Sequence, residues 1–188
     1  MGILKDKTLY HGSLEIVTKP EIRIYPDRAM DFGQGFYCTT SFEQADKWAK
    51  AKIRKGKANI AYVNEYTFEK FPGGLRIKEF PKEPNLEWLD FVVESRTNPK
   101  HEHEYDIVTG PVANDDAFAA IETYIAEGDT SQERKEKLIK ELKTYKLRDQ
   151  ILFHTEESIK RLSFVRQHKV LPDNTKSQNI NKTKGKTL

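Results

Sequence analysis

Apolar positions along this chain switch between a period of two and a period near 3.6, and each switch marks an element. Thr8-Leu9-Tyr10-His11 predicts a short first strand ending at Gly12. Residues 13–30 have scattered apolar positions and two prolines, Pro20 and Pro26, and read as loop with a short strand over 21–25. Residues 36–39 predict an aromatic strand. Ser41 predicts a helix cap, with Glu43 and Gln44 in the first turn. Phe42, Ala45, Trp48, Ala49, Lys52 and Ile53 then form one helical stripe that stops at Gly56. Residues 59–68 alternate and are rich in strand formers. Phe71-Pro72-Gly73-Gly74 reads as a turn, and 75–80 as a returning strand, so a β-hairpin is expected.

The second half continues in the same way. Leu86, Leu89, Phe91, Val92 and Val93 predict a helix over 86–96. Residues 105–109 predict a short strand, stopped by Gly110-Pro111. Two helices follow, over 115–126 and 131–144. The rest reads as a strand at 150–154, one or two helical turns over 156–162, and a last strand at 163–167. Strands and helices in this irregular order imply an α+β fold rather than a regular βαβ alternation.

Composition narrows the class. At 188 residues, with 37% hydrophobic and 32% charged positions, the chain fits one soluble domain with a real core. The formal net charge is only +3, too small a bias for a nucleic-acid signature. Residues 166–188 contribute +5 of it, so a near-neutral body carries a basic tail. The expected organisation is one domain over 1–168 and a basic, disordered tail over 169–188, since the tail has hardly an apolar residue to bury. Cys38 is the one cysteine, which excludes an intrachain disulfide and fits a reducing compartment. No signal peptide or membrane-spanning run is legible, so the expected location is the cytoplasm, with no membrane partner.

The segment Asp31-Phe32-Gly33-Gln34-Gly35-Phe36-Tyr37-Cys38-Thr39-Thr40 concentrates the candidate chemistry. It fails the dinucleotide fingerprint, which needs a third glycine and a helix straight after the loop. It fails the phosphate-loop motif too, having no Gly-Lys-Ser/Thr. His101-Glu102-His103 is a weak chelate in a charged loop, with no His-Glu-x-x-His and no cysteine cluster, so no metal is expected. Phe36 and Tyr37 face opposite sides of their strand, Phe36 toward the core. Cys38 reads as a small buried hydrophobe.

Taken in order, Leu9-Tyr10-His11-Gly12-Ser13, Asp31-Phe32-Gly33-x-Gly35-Phe36-Tyr37, Tyr105-Asp106-Ile107-Val108-x-Gly110-Pro111-Val112-Ala113 and Gln150-Ile151-x-Phe153-His154-Thr155 resemble the ADP-ribosyltransferase superfamily. The resemblance is to its diphtheria-toxin and poly(ADP-ribose)-polymerase branch, and most narrowly to a bacterial family of unknown function beside it. It implies a split core of mixed and antiparallel β-sheet with flanking helices. It implies NAD as a substrate whose ADP-ribose passes to a macromolecular acceptor, protein or nucleic acid, with nicotinamide released. A toxin-like role with a small neutralising partner protein goes with it. By the same resemblance His11 contacts a ribose hydroxyl, and the backbone of Gly12 pairs with the nicotinamide amide. Ser13 adds a hydrogen bond. Tyr37 and Tyr25 stack on the nicotinamide ring, Gly35 leaves room beside it, and Thr39 follows as a small hydroxyl residue.

One position departs from the pattern. The resemblance places a glutamate near the start of a late strand, and here that position is best matched by Gln150. Cleavage at the ribose C1′ builds positive charge that a carboxylate stabilises. An amide can hydrogen-bond a ribose hydroxyl but carries no charge and cannot act as a base. Three outcomes stay open: binding without turnover, slow catalysis by positioning, or service by another carboxylate, among Asp149, Glu94, Glu102, Glu104 and Asp106. A nucleic-acid-binding role through the tail is a third class.

Overall fold

The computed structural model describes residues 4, 7–24, 30–56, 58–69, 74–98, 101–112 and 115–173. Tyr25 and residues 174–188 of the tail lie outside them. The strands are β1 (Thr8–Ser13), β2 (Phe36–Cys38), β3 (Ala61–Phe68), β4 (Ile77–Glu79), β5 (Ile107–Val112), β6 (Arg148–Phe153) and β7 (Leu162–Val170). The helices are α1 (Phe42–Gly56), α2 (Leu86–Thr97), α3 (Asp115–Glu127), α4 (Gln132–Leu142) and the single turn α5 (Glu156–Ile159).

The strands form two sheets, ordered β1-β3-β7 and β2-β6-β5-β4. All pairs are antiparallel except β4 with β5. The class is therefore α+β, with mixed and antiparallel sheets and flanking helices. Three apolar clusters set the layers. Ala45, Ala49 and Ile53 of α1 pack on Ala61 and Val63 of β3. Leu9 and Tyr66 of the three-stranded sheet meet Phe36, Cys38, Ile107, Ile151 and Phe153 of the other. On the far face of the four-stranded sheet, Val108 and Leu152 pack with Trp88, Ile121 and Leu138 of α2, α3 and α4.

Local signals place the helix starts. The Ser41 hydroxyl accepts from Gln44 N at 3.2 Å. Asn85 caps α2 by accepting from Trp88 N at 2.8 Å. Thr155 and Ser158 form a reciprocal capping box on α5.

Four expectations are corrected. β3 and β4 do not form a hairpin: β3 is flanked by β1 and β7, and β4 runs parallel to β5. The Asp106 carboxylate accepts from Arg76 N at 2.7 Å, and Asp106 N donates to Arg76 O at 2.8 Å, a latch that holds the start of β4 beside β5. Next, β5 does not stop at Gly110-Pro111 but runs through to Val112. The Pro111 carbonyl accepts from Trp88 Nε1, so it points away from β6. The missing N–H of Pro111 lies on that same side, which β4 has already vacated, and no ladder bond is lost. Third, Glu21–Ile24 is not a strand. Finally, β7 takes in Lys169 and Val170, read in the sequence as the start of the tail, and Val170 is buried under α1.

Candidate functional site

β1 and β2 are edge strands of different sheets, and they touch at one bridge. Tyr10 N donates to Thr39 O at 2.8 Å, and Thr39 N donates to Tyr10 O at 3.0 Å. Beyond this bridge β1 continues toward Ser13 beside β3, and β2 runs back toward Phe36 beside β6. The two edges belong to different sheets, and at their junction, called the wedge below, His11 reaches from one to the other.

His11 Nδ1 lies 2.6 Å from the Tyr37 carbonyl oxygen. A carbonyl only accepts, so Nδ1 carries the proton and donates it, and Nε2 is left as a bare acceptor. The ring stacks on Phe36 with centroids 4.4 Å apart. Burial pushes its pKa down to about 3; Lys52 and Arg23 act in the same direction, against the bond to Tyr37. The imidazole is thus neutral at physiological pH, beside two cations. Lys52 comes from the inner stripe of α1, and its Nζ donates to the Gly12 carbonyl at 2.6 Å. The roof of the wedge is fixed from below by Asn64, fully buried on β3. Its side chain accepts from Val17 N at 2.9 Å and donates to Glu15 O at 3.1 Å.

The other residues expected at the site have local partners. Gly12 faces α1 so closely that a Cβ would collide with the Ala45 carbonyl and the Ala49 nitrogen. The Ser13 hydroxyl is buried and accepts from Glu15 N at 3.2 Å. Thr39 donates to Asp149 Oδ1 at 3.0 Å and accepts from Ser41 N at 3.1 Å. Gly35 has φ +147°, and a Cβ there would strike the Phe153 carbonyl and Leu152, so its smallness serves strand packing. Tyr37 turns to the helical side of its sheet, packing on the α2–α4 core and donating to Gly33 O at 2.6 Å.

Gln150 is on that helical side too. Leu152 belongs to the α2–α4 core, and the period of two puts Gln150 on the same face, opposite Phe36 and His11. Its Nε2 donates to Asp31 Oδ2 at 2.9 Å. Asp31 Oδ1 receives Arg96 Nη2 at 2.6 Å and Nε at 3.0 Å. The Arg96 side chain is 2% exposed, bonds Glu122 at 3.1 Å, and lies over the Phe118 ring. Gln150 is therefore part of a buried ionic cage. The structure brings His11, Gly12, Ser13 and the backbone of Tyr37 together and leaves Gln150 on the other side of the sheet.

Two histidines fasten the glycine-rich segment to the sheet. His103 Nε2 lies 3.1 Å from Phe32 O, and His154 Nδ1 lies 2.8 Å from Gln34 O. Burial pushes the His103 pKa down to about 4, with His154 and His101 adding to it against the bond to Phe32. Among the described residues, no group of His, Cys, Asp and Glu is arranged to hold a metal ion.

A cleft of about 270 Å³ lies elsewhere, at the opposite end of β6, and of the residues expected at the site only the alternative carboxylate Asp149 lines it. Its walls include Lys7, Lys82, Arg148, Asp149, Thr109 and Phe80. His11, Lys52 and Arg23 are at the wedge and not at this cavity. Sequence reasoning missed Lys52 and Arg96 as site-forming groups. The signal for Lys52 was its place in the apolar stripe of α1, where a lysine must face the sheet. Nothing in the local pattern marked Arg96, whose partners Asp31 and Gln150 are distant in the chain.

The model of a family described as a protein of unknown function, DUF3990, matches residues 7–164. The chain belongs to this family. Its match runs from the start of β1 to the third residue of β7, and so includes the wedge and the cage. Comparisons with curated proteins and with solved structures find no match. Among the described residues, no helix is long and apolar enough to cross a membrane.

Proposed function

We propose that this chain is an ADP-ribosyltransferase-like domain that binds NAD, or its ADP-ribose part, in the wedge between β1 and β2, and binds it without transfer. One observation carries this reading: His11 is a neutral imidazole with Nδ1–H tied to Tyr37 O and Nε2 left to accept, beside Lys52 and Arg23. A bare ring nitrogen accepts from a ribose hydroxyl, and the two cations complement a diphosphate. The split of the core into two sheets at the Tyr10–Thr39 bridge supports the same reading. Because the Gly12 carbonyl already accepts from Lys52, a nicotinamide amide would take that bond over and release the lysine toward the phosphates.

The absence of transfer follows from Gln150. It has no charge to stabilise an oxocarbenium-like centre, and it is bound to Asp31 on the other face of the sheet. A second reading, transfer of ADP-ribose to a protein or nucleic-acid acceptor, is favoured by Asp149. This carboxylate precedes Gln150, so it belongs to the His11 face, and Thr39 and Thr40 N hold it.

Calorimetry with NAD, paired with an assay for released nicotinamide, tests both. The expected result is saturable NAD binding, weakened about tenfold by His11→Gln, with no release. Release that vanishes in Asp149→Asn would establish the second reading instead. If NAD does not bind, both readings fall.

A further inference from the structure

The cleft at the other end of β6 carries chemistry that the NAD reading leaves unused. Thr109 and Ile151 are register partners, as are Pro111 and Asp149, so these four side chains share one face at its floor. Thr109 is 2% exposed, and its Oγ1 has no hydrogen-bond partner. A valine would fill that strand position equally well, without stranding a donor. Lys7, Lys82 and Arg148 surround the cleft, and among the described residues Asp149 is the one acid lining it. Both Asp149 oxygens are already bonded, to Thr39 Oγ1 and Thr40 N. Arg148 is held by Glu43 at 2.6 Å. Among the described residues, neither Lys7 nor Lys82 has a carboxylate partner. Phe80 and Leu147 add an apolar wall.

We propose that this cleft binds a phosphomonoester. The phosphate lies among Lys7, Lys82 and Arg148, an oxygen of the ligand accepts from Thr109 Oγ1, and a planar or apolar body lies against Phe80 and Leu147. The volume, about 270 Å³, fits a compact ligand. The site is separate from the wedge. The Tyr10–Thr39 bridge divides them: Asp149 bonds Thr39 and Thr40 on one side of it, and His11 stacks on Phe36, at the far end of β2, on the other.

Calorimetry on the full chain with adenosine 5′-monophosphate, inorganic phosphate and adenosine tests this. Adenosine 5′-monophosphate should bind saturably, inorganic phosphate about tenfold more weakly, and adenosine not measurably. Lys7→Glu with Lys82→Glu should lower the nucleotide affinity at least about tenfold while leaving the melting temperature unchanged, since both side chains are exposed. Thr109→Val should raise the melting temperature and also weaken the nucleotide by about fivefold. A threonine with a purely structural role gives the first effect without the second. Saturating NAD should leave the nucleotide affinity within about twofold, whether or not NAD itself binds at the wedge. The proposal is overturned by no saturable phosphate-dependent binding, by affinity indifferent to the lysine and threonine changes, or by displacement with NAD.

Discussion

Two polar clusters, one on each face of the four-stranded sheet, are built in opposite ways. On the face toward α2–α4, Gln150 and Arg96 both bond Asp31, and the guanidinium reaches on to Glu122. On the face toward the other sheet, His11 has one nitrogen engaged and one left to accept, and Thr109 has a hydroxyl with no partner. Buried polar groups that satisfy one another fix a fold, whereas groups left with unused capacity are where a ligand can bind. The comparison separates a structural cage from a binding face, although both are built on the same few strands.

The largest effect should come from breaking the cage. Arg96→Ala removes the buried guanidinium that bonds the Asp31 carboxylate twice and should cost about 3–5 kcal/mol in urea unfolding. A loss below about 1 kcal/mol would remove the cage as a structural feature. Gln150→Glu comes next. It replaces a donor to Asp31 with a second carboxylate and should destabilise by about 1–3 kcal/mol at pH 7 without creating nicotinamide release. Gain of release would instead put position 150 in the reacting site.

Acid should act on both faces. His11 and His103 titrate in the unfolded chain near the ordinary value of 6.5 and in the folded chain at about 3 and about 4. Between those values the unfolded state holds more protons, so stability is intact above about pH 6.5 and falls as the pH drops toward 4. Melting temperature measured against pH should show this slope, and the His11→Gln, His103→Gln double variant should flatten it. The smallest effect on stability tests the wedge. Lys52→Met should change unfolding free energy by less than about 1 kcal/mol while lowering NAD affinity about tenfold. Unchanged affinity would separate Lys52 from the ligand.

Elements with their own local code were legible in the sequence. Ser41, Asn85 and Thr155 cap helices where a short polar side chain before an apolar stripe predicts them. The strand at β3 was legible from its strand-forming residues, although it is buried on both faces rather than alternating, and the inward turn of Phe36 followed from a period of two. The β3–β4 hairpin was misread because a Pro-Gly-Gly turn suggests a reversal of the chain but does not name its partner. The latch between Arg76 and Asp106 did that. Pro111 read as a strand end because its tolerance depends on β4 having stopped at Glu79.

The sequence by itself determined the element types, the α+β class and the concentration of unusual residues at His11-Gly12-Ser13 and Gly33 to Tyr37. These depend on side-chain period, capping and backbone freedom, which act over a few residues. Only the tertiary structure decided that His11, on the other sheet, packs against the face of the four-stranded sheet opposite to Gln150. A change of one residue in strand register moves every side chain to the other face. That register is set by pairing of β6 with β2 and β5, across gaps of chain that no local pattern spans.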